Sequence, residues 1–180
     1  RCGINLLKDK IARQYNDATL NLFCRNELSL LIAEKTESIV NNNNLGSGLL
    51  INGRIISAEQ SPYIIAELSA NHNGDYNKAI EIINQAKLCG ADAVKIQTYT
   101  ADTLTIDCDK EDFIIKGTIW EGKNYYSLYK EAYTPWEWHK EIFDYANSLG
   151  MIAFSSPFDE TAVDFLEELN VPAYKIASFE

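Results

Sequence analysis

The sequence predicts an α/β fold built on a parallel sheet, and three observations predict it. From residue 63 onward, short apolar runs alternate with amphipathic stretches in the order strand, helix, strand, helix, strand, helix, strand. The amphipathic stretches carry helix start and stop residues at the right offsets. Each predicted strand also carries polar side chains at or near its C-terminal end: Glu67, Lys95 with Gln97, Ser155 with Ser156, and Lys175 with Ser178. Two closures suit such a sheet, an open doubly wound one or a barrel.

Residues 1–48 read differently from the rest. "NELSLLIAEKTESIV" predicts a helix from Asn26 to Val40, with Asn26 as its cap, and "NNNNLGSG" has linker composition. We expect 1–48 to be an unassigned, helical segment with an Asn/Gly-rich linker, and 49–180 to be the structured domain. "LLINGRIIS" comes next, and Asn52-Gly53 between two apolar triplets predicts a β-hairpin, because both residues tolerate positive φ. "YIIAELS" reads as a strand. Asp75 can cap a helix running to about Cys89, with Ala79, Ile82, Ile83 and Ala86 on one face and Gly90 just past its end. "ADAVKIQ" is the next strand. In "TPWE", Thr134 is expected to cap a second helix, with Pro135 in its first turn and Glu137 completing a capping box. "MIAFSS" is a third strand, "DETAVDFLEEL" a third helix and "PAYKIAS" a fourth strand.

Composition excludes several function classes. The 180 residues carry a formal net charge of −10, and no basic cluster stands out, which argues against a nucleic-acid surface or an anionic membrane. No apolar run approaches the length of a membrane span. The start, "RCGINLLKDKIARQ", lacks the apolar stretch of a secretory signal. Cys2, Cys24, Cys89 and Cys108 are scattered, as reduced cytosolic thiols would be. With Arg1 in place of Met and "YKIASFE" at the other end, both ends read as cut.

Side chains alternate along a strand, so Ile65, Glu67 and Ser69 share one face, as do Ala93, Lys95 and Gln97. The apolar set on the other face suits helix packing. The polar set would point into a barrel interior near its top, where barrel enzymes keep their chemistry. An ionised carboxylate within a sheet is costly unless paired. Glu67 is therefore either half of a structural ion pair with Lys95 or part of a site, and its strand-end position favours the site. Lys95 and Lys175 either snorkel at the sheet edge or attract an anionic substrate. Ser156 and Ser178 are ordinary turn residues in the simpler reading and phosphate donors in the other. Asn71, His72, Asn73 and Gly74 precede a helix and form either an anion cradle or a plain turn. His72 and His139, the only histidines, offer too few ligands for a metal site, and His139 reads as packing or rim. The segment from Thr98 to Tyr133 exceeds normal loop length and reads as a lid. Its aromatics Trp120, Tyr125, Tyr126 and Tyr129 either cover a ligand or pin the segment down.

The stretches "PYIIAELSANHNGD", "GADAVKIQTYTADTLT", "FSSPFDETAVDFLEEL" and "VPAYKIAS" resemble the sialic-acid synthase family. Within it, "FIIKGTIWEGKNYYSLYKEAYTPWEWH" looks most like the pseudaminic acid type, with N-acetylneuraminate and legionaminic acid synthases as the alternatives. The resemblance covers about Ile51 to Glu180. It implies the N-terminal half of a (β/α)8 barrel, a fold that typically takes about 250 residues when complete. It also implies condensation of phosphoenolpyruvate with an N-acetylated amino sugar, a divalent metal (Mn or Mg), a homodimer and a cytoplasmic setting. By motif, Glu67 matches the family's active-site glutamate, and Lys95 and Lys175 match the lysines that hold phosphoenolpyruvate. Gln97, Ser156 and Ser178 match neighbouring binding positions. The metal ligands are expected outside this chain, which on its own is expected to be an inactive fragment. Two other readings stay open: a non-catalytic piece with weak anion binding, and another phosphoenolpyruvate-condensing barrel.

Overall fold

The computed structural model of the protein describes residues 21–22, 39–40 and 49–177. The chain forms two compact units, Lys8–Pro62 and a second one built on Tyr63–Glu180. In the first, β1 (Asn21–Leu22) pairs in parallel with β2 (Ile39–Val40). The helix expected over 26–40 therefore fails at its last two residues, which are strand; 26–38 lie outside the described residues. β3 (Leu49–Ile51) and β4 (Arg54–Ile56) form the expected antiparallel hairpin, with Ile51 opposite Arg54. Its turn places Asn52 at φ 46° and Gly53 at φ 80°, the double left-handed geometry that selects Asn-Gly.

The second unit holds a three-stranded parallel sheet in sequential order: β5 (Ile65–Glu67), β6 (Ala93–Thr98) and β7 (Ile152–Pro157). α1 (Tyr76–Leu88) joins β5 to β6. Asp75 caps it, accepting from the amides of Asn77 and Lys78. Between β6 and β7 run the short α2 (Ala101–Leu104), a 3-10 turn (Glu111–Phe113), α3 (Tyr125–Ala132) and the long α4 (Trp136–Ser148). α5 (Glu160–Glu168) comes after β7, capped by Asp159.

The three long helices stop by one device. A residue with positive φ ends each of them: Gly90 (86°), Gly150 (70°) and Asn170 (54°). The next amide reaches back to a carbonyl in the last turn: Ala91 to Ala86, Met151 to Ala146, and Val171 to Leu166. All three of those returning residues are buried, so each stop also turns the chain back into the core.

One apolar cluster holds the unit together. Leu68, Val94, Ile96 and Ala153 pack against Ala79 and Ile83 of α1, Ile142, Phe143 and Ala146 of α4, and Leu166 of α5. Val94, Ile96 and Ala153 share one face of the sheet by register, so the helices lie on that face. Ile82 and Ala86, expected on the same stripe of α1, are half-buried at the edge of the cluster.

Two further expectations are corrected. Residues 172–177, the described part of "PAYKIAS", do not form a strand. They meet β7 through one parallel bridge, Ser155 to Tyr174, and one hydrogen bond from the Lys175 amide to the Ser155 carbonyl (3.1 Å). The Thr134 capping box is also absent. α4 begins after Pro135 with no side-chain cap, because the Thr134 hydroxyl is taken by His72 Nε2 at 3.2 Å.

Candidate active site

The register of the sheet decides which side chains meet. Glu67 stands opposite Lys95, Lys95 opposite Phe154, and Gln97 opposite Ser156. These five side chains share the face away from the helices. Tyr174 bridges Ser155, whose side chain belongs to the helix face, so the next residue, Lys175, comes round to the face of Phe154 and Ser156. Glu67, Lys95, Gln97, Ser156 and Lys175 thus lie together toward the C-terminal ends of neighbouring strands. Ser178 lies outside the described residues. Phe154 belongs to this group and was not singled out from the sequence. Only the register, which makes it the neighbour of Lys95, reveals it.

Lys95 and Glu67 form an ion pair; the lysine side chain is 12% exposed and the glutamate 40%. The other Glu67 oxygen accepts the amide of Ser69 at 3.2 Å, which Ser69 offers by adopting φ 44°. Both carboxylate oxygens are therefore engaged. Burial pushes the Lys95 ammonium down to about 8, and the positive charge of Lys175 adds to that effect. Glu67 acts the other way and helps to keep the charge. Ser156 is buried, and its hydroxyl has no hydrogen-bond partner among the described residues. A buried hydroxyl normally finds a partner. This one shares its face with Lys95 and Lys175, and such a set suits an anion with several acceptor oxygens.

The loop 71–74 spends three of its four amides within the turn, which leaves little for an anion: Asn71 on Leu68, Asn73 on Ala70 and Gly74 on His72 Nδ1 (3.0 Å), and the adjoining Asp75 amide bonds the His72 carbonyl. His72 is buried under Trp138, ring centroids 5.6 Å apart. Because Nδ1 accepts from Gly74, Nε2 carries the proton and donates to Thr134. His139 is also buried, and it faces the helix side of the sheet. Neither histidine points at the site. Among the described residues, no group of three His, Cys, Asp or Glu side chains could hold a metal ion.

The 98–133 segment is anchored at both ends. Tyr99, just past β6, packs edge-on against Phe158, just past β7, and against Tyr129 of α3. The Trp136 indole donates to the Tyr99 carbonyl at 3.2 Å, and Thr134 takes the bond from His72. These contacts put α3 beside the C-terminal ends of β6 and β7. Of the aromatics expected to cover a ligand, Tyr129 pins the segment through Tyr99. Tyr125 stacks on Tyr129, and Tyr126 donates to Asp102 of α2 at 3.1 Å. Trp120 is exposed.

Comparison with known proteins places this geometry in context. A model of the NeuB family matches residues 82–180. A pseudaminic acid synthase of Campylobacter jejuni is 53% identical over 124 residues, covering 69% of this chain and 36% of that protein. An N,N'-diacetyllegionaminic acid synthase of Legionella pneumophila is 39% identical over 137 residues, covering 76% of this chain and 38% of that protein. Among solved structures, the N-acetylneuraminic acid synthetase of Leptospira borgpetersenii superposes with a TM-score of 0.60 at 24% identity. That superposition covers 73% of this chain and 41% of that one, and it shows a shared fold.

Proposed function

The chain belongs to the NeuB family, and from that premise we propose that the protein joins phosphoenolpyruvate to a 2,4-diacetamido-trideoxy hexose, giving pseudaminic acid and releasing phosphate. The observation that carries the choice of sugar is the gap between 53% identity to a pseudaminic acid synthase and 39% to a legionaminic acid synthase over similar lengths. In this reading residues 49–180 are the N-terminal half of a (β/α)8 barrel. The remaining strands, the ligands of a divalent metal and a dimer partner lie outside the described residues, and the enzyme works in the cytoplasm.

The chemistry of each group gives its role. Lys95 and Lys175 hold the phosphate and carboxylate of phosphoenolpyruvate, and Gln97 and the free hydroxyl of Ser156 donate to its oxygens. Ser178 would add a further donor. The methylene carbon of phosphoenolpyruvate forms a bond to the aldehyde carbon of the open-chain sugar, whose oxygen takes up a proton. Water then adds to the former enol carbon, its proton passing to the ionised Glu67, and the C–O bond to phosphate breaks. Lys95 and the Ser69 amide hold the Glu67 carboxylate in place for that step.

The test is phosphate release by the complete gene product with phosphoenolpyruvate, manganese and three sugars in parallel: the 2,4-diacetamido-trideoxy altrose and the precursors of legionaminic and N-acetylneuraminic acid. Turnover of the altrose at least tenfold above the others is expected, lost in Glu67→Gln. Preference for either other sugar would replace the pseudaminic reading. No turnover with any of them, and no phosphoenolpyruvate binding, would favour a protein without this catalysis.

A further inference from the structure

Behind the site, on the helix face of the sheet, lies a second set of polar side chains. Thr98, Ser155 and His139 are all fully buried. His139 Nδ1 lies 3.1 Å from the Pro135 carbonyl, which can only accept, so Nδ1 carries the proton. Nε2 is then an acceptor, and the Thr98 hydroxyl donates to it at 2.9 Å. With the Thr98 proton given to His139, the single Ser155 proton is shared between Thr98 Oγ1 at 2.6 Å and the Ile96 carbonyl at 3.1 Å. The Pro135 carbonyl thus fixes the tautomer of the ring and, through it, makes Thr98 the donor to Nε2. Phe143 and Phe165 close over the ring edge-on.

Resting on the functional reading above, we propose that Thr98, Ser155 and His139 are positioning residues whose hydrogen-bonded chain sets the placement of Gln97, Ser156 and Lys175 in the site. Each of those three hangs from a member of the chain. Gln97 precedes Thr98, Ser156 adjoins Ser155, and the Lys175 amide donates to the Ser155 carbonyl at 3.1 Å. The last of these matters most, because Lys175 is held to the sheet by that bond and one bridge rather than by a ladder. An apolar residue would fill the Thr98 position without the cost of burying a hydroxyl, so packing alone does not call for threonine there. Burial holds His139 near 4 and therefore neutral throughout the physiological range, which keeps the proton order constant.

The experiment uses the complete gene product and the variants Thr98→Val, Thr98→Ser and Ser155→Ala. It reads thermal midpoint, kcat and KM for phosphoenolpyruvate, and phosphoenolpyruvate binding without sugar. Thr98→Val keeps shape and removes the donor. It should lower kcat/KM for phosphoenolpyruvate roughly 10- to 100-fold, as a small misplacement of binding groups does. The loss should fall mainly on KM, and Thr98→Ser should restore it to within about threefold by the same reasoning. Ser155→Ala breaks the chain from its other end and should behave like Thr98→Val, which covers the case of a valine variant that does not fold. Variants that fold and bind phosphoenolpyruvate as tightly as the wild type would overturn the proposal. So would a serine variant as impaired as the valine one. A wild type that binds phosphoenolpyruvate but turns over no sugar counts against the functional reading alone, and the binding comparison still decides this one. A wild type that binds no phosphoenolpyruvate overturns both.

Discussion

Replacing Lys95 with methionine separates a site from a structural ion pair. Methionine keeps much of the lysine stem and removes the charge. The native fold lowers the Lys95 pKa from 10.5 to about 8. At 1.36 kcal/mol per unit, keeping this ammonium charged costs the folded state at most about 3 kcal/mol below pH 8. Glu67 offsets part of that. A folded pKa below the unfolded one means that the unfolded chain binds more protons between pH 8 and 10.5. The wild type should therefore gain stability across that window, and the methionine variant should not. Breaking a buried pair usually costs about 3–5 kcal/mol because a charge is stranded. Here the stranded group would be Glu67, whose side chain is 40% exposed and stays hydrated. Lys95→Met should thus be neutral or stabilising at pH 7, by anything up to about 3 kcal/mol. Its kcat/KM for phosphoenolpyruvate should fall at least about 30-fold, the equivalent of losing a charge contact worth about 2 kcal/mol. Urea unfolding at pH 7 and pH 10, with phosphate release at pH 7, reads both. A variant that loses more than about 2 kcal/mol yet keeps its activity would refute the argument, and Lys95 would be holding the sheet together instead of serving it.

Three further outcomes are expected. His139 titrates near 4 in the fold and at 6.5 unfolded, so as pH falls from 6.5 toward 4 the protein should lose up to about 3 kcal/mol. His139→Gln should flatten that limb in a pH series of urea midpoints, and a His139 ring that titrates at 6.5 by NMR would contradict it. Gly53→Ala forces an alanine to φ 80° and should destabilise the hairpin by about 1 kcal/mol, read by amide exchange across β3 and β4. The 180-residue chain expressed alone should release no phosphate from phosphoenolpyruvate and the altrose, and release that Glu67→Gln abolishes would show that these residues suffice.

What the sequence disclosed, it disclosed through local chemistry. Asn52-Gly53 needs two positive φ angles and got them, and Asp75 caps a helix wherever two free amides come after it. Alternation along β6 put Lys95 and Gln97 on one side and Val94 and Ile96 on the other. Tertiary competition was not legible. Thr134 has every local reason to cap α4, but it answers to His72, a residue 62 positions away. The apolar pattern puts Lys175 on a strand, whereas a strand needs a ladder and the described residues there offer one bridge. Glu67 and Lys95 could be foreseen as a pair or as site residues, and the structure makes them both a pair and neighbours of Lys175. Thr98 and His139 could have been linked only by noticing that Thr98 is a polar residue on the apolar parity of β6.

That parity bears on how β6 finds its place. A strand that slips by one residue against its neighbour exchanges its two faces, and Lys95 would then be forced among the helices. The apolar pattern punishes such an error heavily. It is blind to a slip of two. Val94 and Ile96 would simply take over each other's kind of seat, and Lys95 would still point the right way. The buried hydroxyls are not blind to it. A two-residue slip carries the Thr98 oxygen about 7 Å along the strand, out of reach of both Ser155 and His139. It strands the Thr98 hydroxyl and His139 Nε2 at about 1–3 kcal/mol each. Oil-and-water alternation gets the strand right modulo two, and the threonine, serine and histidine supply the remaining digit.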